Sequence, residues 1–432
     1  MSQQKQNGNI VAIIMMIFLF GMISFVTNLA APMGVVLKNQ FGVSNAMGML
    51  GNMANFIAYA VMGIPGGILL QRVGYKKTAL LAIAIGFIGV FIQYLSGYAG
   101  QSSAFGVYLL GAFVAGFSMT LLNTVVNPML NTLGGGGNKG NQLIQVGGSF
   151  NSVMATFTPA FVGILIGEAS KAKITDVFPV MYIAMGVFAL VFFVLWAVSI
   201  PEPHAERSSE PLGNLMSGAL KFRHFILGAI GIFVYVGVEV GTPGTMILWL
   251  SDPTVSSVGT TTAGFVAGTY WFLMLIGRLV GASIGSKVSS KTMLTVASAV
   301  ALLLVTLAIF SSTSSLVSLP VLQKSDAGAL SFGLAQVPIN AMFFVLVGLC
   351  TSIMWGGIYN LAVEGLGKYL AAASGIFMVL VCGGGILPWI QANVADLAGY
   401  MTSYWVIFAG FAYLLFYALI GSKNVNKNIS VD

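Results

Sequence analysis

Glu239 is the only charged side chain among residues 225–250, an apolar run long enough to cross a lipid bilayer. A carboxylate at that depth is costly, so it must face protein or a water-filled cavity, and its position alone makes it a functional candidate. It could take up and release a proton, hydrogen-bond a polar solute directly, or sit in a structural ion pair; proton exchange is the preferred reading. Arg278 is the second deep charge. It falls toward one end of its run, where a long side chain can snorkel or pair with the end of a neighbouring helix, and structural support is expected of it. Amides are spread through the first part of the chain: Asn28, Asn123, Asn127, Gln145 and Asn151 all lie within apolar runs. An amide both donates and accepts, which suits the adjacent hydroxyls of a sugar without net charge, although amides in lipid also bind helices to one another. The later part of the chain adds Tyr270, Trp271, Trp355, Tyr359, Asn360, Trp389 and Gln391. An aromatic ring can cover the C–H face of a sugar while amides hold its edge, the usual division of labour in a pocket.

The elements that carry these residues follow from composition. Of 432 residues, 57% are hydrophobic and 7% charged, whereas a soluble domain devotes about a quarter of its residues to charge. Only helices or closed barrels satisfy their backbone in lipid, and uninterrupted apolar runs exclude the alternating pattern of a barrel. Hydropathy predicts an all-α membrane protein with spans near 10–37, 46–70, 78–97, 105–131, 143–166 and 177–199, then 225–250, 262–285, 291–311, 336–363, 369–396 and 403–421. A charged segment from Pro201 to His224 reads as a linker, dividing the chain into bundles at 1–200 and 225–432.

Of the 18 Lys and Arg residues, thirteen fall on the side of the termini; Lys38, Lys171, Lys173 and Lys324 fall on the other, and Arg278 lies within a span. The positive-inside rule then predicts both termini in the cytoplasm and a cytoplasmic (inner) membrane location. The first apolar run is expected to be retained as a helix rather than removed as a signal peptide. The net charge of +7 is scattered at helix ends, which argues against nucleic acid. Cys350 and Cys382 both lie within spans and are not expected to pair.

Glycine and proline carry a further signal. Gly383, Gly384 and Gly385 permit close helix crossings, and Pro32, Pro128, Pro159, Pro243 and Pro388 predict kinks. The run Gly134–Gly137 reads as a connector, because no Lys-Ser/Thr pair follows it as in a phosphate-binding loop. Glu364 and Lys368 are four apart, a spacing that pairs them if the helix continues.

Gly67, Arg72, Gly74, Lys76 and Lys77 form a short basic loop after the second span, matched six spans later by Gly281, Gly285, Lys287 and Lys291, as a duplicated transporter would require. The first loop resembles the one between helices 2 and 3 of the major facilitator superfamily, except that Gln71 occupies the acidic position. Asn123–Pro128, Ser149–Ser152, Tyr235–Gly237, Ile276–Arg278, Gly365–Gly367 and Gly383–Pro388 resemble, in order and spacing over nearly the whole chain, the fucose permease and glucose/galactose transporter group.

That resemblance implies two six-helix bundles around a central cavity opening alternately to each side, a sugar substrate, proton symport and a monomer. Two acidic cavity positions of the fucose permease pattern align with Ala31 and Asn123, so proton coupling would need another carboxylate, for which Glu239 is the candidate. Uniport or export of another neutral solute, such as a nucleoside or drug, remains the alternative within transport. A sugar sensor would need a signalling domain, and a channel would need charged rings or a filter loop. No enzyme site, metal or cofactor is expected: the two histidines, His204 and His224, both fall in the linker, with no clustered Cys or Asp.

Overall fold

A computed structural model describes residues 3–133, 137–166, 171–200, 202, 212–256, 258–284, 288–324 and 330–426. Gly134 to Gly136, most of the linker with His204, and Gly285 and Lys287 lie outside the described residues, as do the side chains of Ala31, Gln71 and Gln145. The first half comprises α1 (Gln3–Phe41), the short α2 (Asn45–Gly48), α3 (Leu50–Val73), α4 (Tyr75–Leu95), α5 (Gln101–Leu133), α6 (Gly137–Ile166) and α7 (Phe178–Ala197). A further short helix, α8 (Leu212–Ala219), lies in the connection. The second half comprises α9 (Arg223–Ser251), α10 (Thr260–Ile284), α11 (Ser290–Phe310), α12 (Ile339–Thr351), α13 (Met354–Val363), α14 (Leu370–Leu380), α15 (Gly383–Ala398) and α16 (Tyr400–Phe416).

Eleven stretches of the described residues are long and apolar enough to cross a bilayer. The remaining long helix, α6, is not among them, although its 30 residues amount to roughly 45 Å at 1.5 Å per residue. Its sequence explains why: Ser149, Asn151, Ser152, Thr156 and Thr158 dilute its apolar character, and it packs between α1 and α10 rather than facing lipid all round. With α6, twelve spans result.

Spans ten and eleven are each broken in two. The tenth divides between α12 and α13 at Ser352–Ile353, the eleventh between α14 and α15 at Val381–Cys382. Neither break carries a proline, while Pro32, Pro65, Pro128, Pro243 and Pro388 lie inside helices. At the tenth break Ser352 Oγ donates to Leu349 O at 2.6 Å, and the eleventh directly precedes the glycines of α15. Two corrections concern the connections. The helix α13 ends at Val363, so Glu364 and Lys368 do not share a helical turn. His224, expected in the linker, lies in the first turn of α9 and is fully buried, its Nε2 within 2.9 Å of the Glu364 carbonyl.

The halves meet where α3 packs on α14 and α15, and where α6 packs on α10. Lipid gives helices little hydrophobic reason to associate, so close backbone approach must supply the contact. The glycine triplet shows how. Across the halves, a Cβ on Gly384 would strike Phe56 of α3 and one on Gly385 would come within 2.9 Å of the Met53 backbone, while within the second half one on Gly383 would overlap the Phe233 carbonyl of α9.

An antiparallel hairpin of β1 (Leu316–Lys324) and β2 (Leu330–Pro338), with Leu319 opposite Ala335, joins α11 to α12. The hydropathy reading assigns no element there, because the hairpin lies between two spans and lacks the helical period.

Candidate functional site

Counting passes places the two termini at one end of the bundle, here the terminal end, and the Phe41, Ser251 and Tyr400 helix ends at the other, the far end. A cavity of about 750 Å³ lies between the halves. Its wall runs from Asn28, Glu239 and Trp271 at mid-depth to Ile144, Gly281, Ser290 and Asn360 at helix ends on the terminal side. It therefore opens toward the termini.

Glu239 and Arg278 both line this cavity. Arg278 Nη2 lies 3.9 Å from Glu239 Oε1, an ion-pair distance too long for a hydrogen bond. The guanidinium's Nη1 is engaged elsewhere, donating to Gly148 O at 2.6 Å and to Ser152 Oγ at 2.8 Å on α6. Arg278 thus supports the neighbouring helix, as its position suggested, and also faces the deep carboxylate. One guanidinium connects α6 of the first half to α9 of the second. Behind Glu239, the fully buried Tyr270 donates its hydroxyl to the Glu239 carbonyl oxygen at 3.1 Å and stands 3.0 Å from Thr351 Oγ1.

Asn28, Asn123, Asn127 and Asn151 all line the cavity. Each also uses its amide nitrogen within the protein: Asn28 donates to Ser24 O at 2.9 Å, Asn123 to Tyr59 OH at 2.7 Å, Asn127 to Asn123 O at 3.1 Å, and Asn151 to Phe20 O across to α1 at 2.9 Å. The two uses weighed from sequence, binding helices and presenting polar atoms to a solute, thus meet in the same residues. From the second half, Trp271, Trp355 and Asn360 complete the wall.

Three residues expected at the cavity are placed elsewhere. Tyr359 turns to Ser374, with the two hydroxyls 3.0 Å apart. Trp389 packs against the hydrophobic core, and Gln391 is fully buried on α15, its amide oxygen where a Cβ on Gly241 would meet it at 2.7 Å. All three share spans with wall residues, and hydropathy gives depth but not the face of a helix. Tyr270 is likewise behind the wall rather than on it. The wall also contains Ser24, Thr27, Tyr59, Met293 and Ser352, which no motif marks.

At the far end the cavity is closed. A separate space of about 20 Å³, lined by Thr27, Asn28, Met49, Asn52, Pro243, Gly244 and Trp271, has room for about one water molecule. Beyond it, Lys38 Nζ reaches Asp252 Oδ2 and Tyr400 OH, each at 3.1 Å. Tyr400 OH stands 2.9 Å from Asp252 Oδ2 and 3.1 Å from Asn45 Oδ1. The Asp396 carboxylate accepts from the backbone N–H groups of Asn45 and Ala46 at 2.9 and 2.8 Å, the favourable place for an anion at a helix start. Asn52 closes the next layer, donating to Gly384 O at 2.9 Å. Except for the bond between Tyr400 and Asp252, which lies within the second half, each of these contacts joins the first half to the second.

At the terminal end, Gly74 adopts φ +85° between α3 and α4, and Glu202 accepts from Tyr75 N at 2.7 Å and Lys76 N at 3.0 Å. Lys76 Nζ donates to Trp196 O and Val198 O at 2.9 and 2.7 Å. Of the other residues in this loop, Gly67 meets nothing within 4 Å of a Cβ position, and Arg72 and Lys77 are exposed.

Comparison with known proteins agrees with this architecture. The chain is 29% identical to the glucose/galactose transporter of Brucella abortus (strain 9-941), over 98% of its own length and 96% of the relative's. It is 21% identical to the L-fucose-proton symporter of Escherichia coli K12, over 84% and 82% of the two chains. The crystal structure of the E. coli fucose:proton symporter superposes with a TM-score of 0.67, at 18% identity, over 96% of this chain and all of that one. The nucleoside transporter NupG follows at 0.63, 13% identity, over 93% and 98% of the chains. The family model of the Major Facilitator Superfamily matches residues 13–388, and the chain, a multi-pass membrane protein with two half-bundles around a central cavity, belongs to that superfamily.

Proposed function

We propose that the protein carries a neutral sugar, a hexose or deoxyhexose, across the cytoplasmic membrane by alternating access, with Glu239 coupling the movement to a proton. The observation that carries this reading is the cavity wall: amides from four positions of the first half face two indole rings of the second, around a single ion pair. Amides match sugar hydroxyls without net charge and the rings match its C–H face. Support also comes from relatives named for glucose/galactose and fucose-proton transport. With both termini cytoplasmic, as the basic side chains favour, the cavity faces inward.

Coupling to a proton needs a group whose charge differs between loaded and empty states. Among described acidic residues lining the cavity, Glu239 is the one present. Protonation would remove its attraction for Arg278 and leave the guanidinium to α6 alone, so proton loading and the contact between the halves are physically joined. Sugar uptake by proteoliposomes, with and without an inward proton gradient, tests the reading. Accumulation of one hexose or deoxyhexose only with the gradient is expected. Glu239→Gln should abolish accumulation while leaving sugar–sugar exchange across the membrane. If the variant still concentrates sugar, the coupling role is wrong. A second reading, uniport of a neutral solute, rests on Arg278 lying close enough to hold Glu239 charged throughout; equilibration indifferent to the gradient would establish it.

A further inference from the structure

Two exposed cations stand at the terminal ends of α9 and α16, Arg223 at the start of the one and Lys423 just beyond the other. Among the described residues, neither side chain forms an ion pair or a hydrogen bond. Each is in line with an apolar stripe. Arg223 precedes Ile226 and Ile230 by three and seven residues, and Lys423 follows Ile420 and Phe416 by three and seven, the spacing of one helix face. Ile226, Ile230, Phe416 and Ile420 are 38%, 40%, 39% and 57% exposed, and none of them lines the central cavity. Both stripes therefore face the lipid.

The stripes are the two edges of one groove. The helices α9 and α16 run antiparallel and pack on each other, with a Cβ position on Gly231 in contact with the Tyr417 ring. At about 100° per residue, Leu227 falls between this packed Gly231 and the exposed Ile230, and Tyr413 falls between Tyr417 and the exposed Ile420. Tyr413 donates its hydroxyl to Leu227 O at 2.8 Å, so this half-buried pair is the floor of the groove on its lipid side. At the terminal mouth, Asn426 Oδ1 accepts the Arg223 N–H at 3.0 Å. That bond holds the segment carrying Lys423 against the start of α9.

We propose that this groove binds an anionic phospholipid of the leaflet on the terminal side, its phosphate between Arg223 and Lys423 and an acyl chain along Leu227 and Tyr413. A guanidinium suits a phosphate by paired hydrogen bonds and an ammonium by point charge. Ile226 and Ile230 lie about 4.5 and 10 Å below Arg223 at 1.5 Å per residue, the depth at which an acyl chain leaves its headgroup. Any lipid can fill the apolar part. The two cations favour a net-negative headgroup, since a zwitterionic one brings a cation of its own to the same place. The bound lipid joins the first and last helices of the second half, and the inference depends on no property of the substrate.

Site-specific quenching in proteoliposomes tests it, in protein whose buried Cys350 and Cys382 are replaced. Bimane at Ile230→Cys meets rising fractions of phosphatidylglycerol or of phosphatidylcholine, each brominated on its acyl chains. Leu190→Cys is the reference, 63% exposed and seven residues from the terminal end of α7 at Ala197, as Ile230 is from Arg223. Phosphatidylglycerol should reach half-maximal quenching at Ile230 at a mole fraction roughly fivefold or more below that of phosphatidylcholine, while the two act alike at Leu190. Arg223→Gln with Lys423→Gln should bring the ratio at Ile230 to about one, whereas Arg223→Lys with Lys423→Arg should keep most of it. Equal quenching by the two lipids in the parent protein would make the cations solvated anchors and overturn the proposal. A preference unchanged in the doubly neutralised variant would overturn it too, as would quenching by neither lipid, which would show protein, such as a second copy of the chain, in the groove. All four altered positions are exposed, and elution matching the parent protein confirms that each variant is folded.

Discussion

The two ends of the cavity use their charged side chains in different ways. At the far end, Lys38 and the start of α2 in the first half meet Asp252, Asp396 and Tyr400 of the second. At the terminal end, among the described residues, Glu202 just beyond α7 and Lys76 bond to the first half, tying the start of α4 to the end of α7. A charge that reaches across the halves must be broken when that end opens; one confined to a half moves with it. The sealed end is therefore the switch in this state, and the open end contains a rigid joint.

The largest effect is expected where the seal has no room to give. Gly385 brings α15 against the Met53 backbone of α3, and a side chain there cannot be absorbed by rotation of a flexible neighbour. Gly385→Leu should hold the far end apart and lower uptake by about tenfold or more. A cysteine at Met49, beside the small space below the seal, should become reactive to an impermeant maleimide added from the far side. Normal uptake with Met49→Cys still protected would mean that the crossing is not part of the gate.

The ion pair should matter less, and its effect can be assigned. Lys38 and Asp252 side chains are 23% and 15% exposed, so losing one partner should cost about 1–2 kcal/mol of the sealed state, a factor of roughly 5–30. Asp252→Asn should raise labelling at Met49→Cys by that order. Lys38→Met in the same background should add little, because the two act on one interaction; additive effects would separate them.

Acidity further distinguishes the far-end latch of Lys38, Asp252 and Tyr400 from the deep carboxylate of Glu239. Burial works against the charged form of Asp252, yet hydrogen bonds from Thr254, Lys38 and Tyr400 hold its carboxyl at about 2, below its ordinary 3.8. The pKa is depressed, so the stabilisation is complete above the ordinary value and is lost only as pH falls through about 2. Labelling of the sealed end in the Glu239→Gln background, divided by that of a fully exposed reference cysteine to remove the thiol's own titration, should be flat from about pH 5 to 8. A change in that window would assign the pH response to the latch rather than to Glu239.

How much of this was legible in the sequence depends on the kind of information each feature needs. Spans could be read because apolar length alone defines them, and the ninth, expected at 291–311, is observed at Ser290–Phe310. Glu239 and Arg278 were legible as the two deep charges, since cost at depth is a one-residue property. Faces were not: Tyr359 and Asn360 are neighbours on α13, yet only the three-dimensional packing shows that Asn360 meets the cavity while Tyr359 turns to Ser374. The latch was hidden for a similar reason. Lys38, Asp252 and Tyr400 are ordinary helix-end residues in sequence, and nothing local joins positions 38 and 400. The hairpin was missed because hydropathy windows seek helical spans, whereas alternation of Leu319 and Val321 with Pro320 has period two.

The smallest expected effect is at the terminal joint, and it tests whether the joint is passive. Gln71 replaces the acidic residue of the family-like loop, and Glu202 supplies a carboxylate to the start of α4 instead, from beyond α7. A Cβ on Gly74 would lie 2.7 Å from that carboxylate, and the φ of +85° already disfavours a side chain. Losing a charged cap at a helix start costs from a few tenths to about 1 kcal/mol. Glu202→Gln should thus lower the thermal unfolding midpoint slightly, with Gly74→Ala more damaging because it adds backbone strain to the displaced cap. Neither should alter labelling at Met49→Cys, since the joint lies within one half and is the same whichever end is open. If Glu202→Gln moves that labelling as far as Asp252→Asn does, the carboxylate reaches the second half in the other state of the cycle, and the two ends use charge alike.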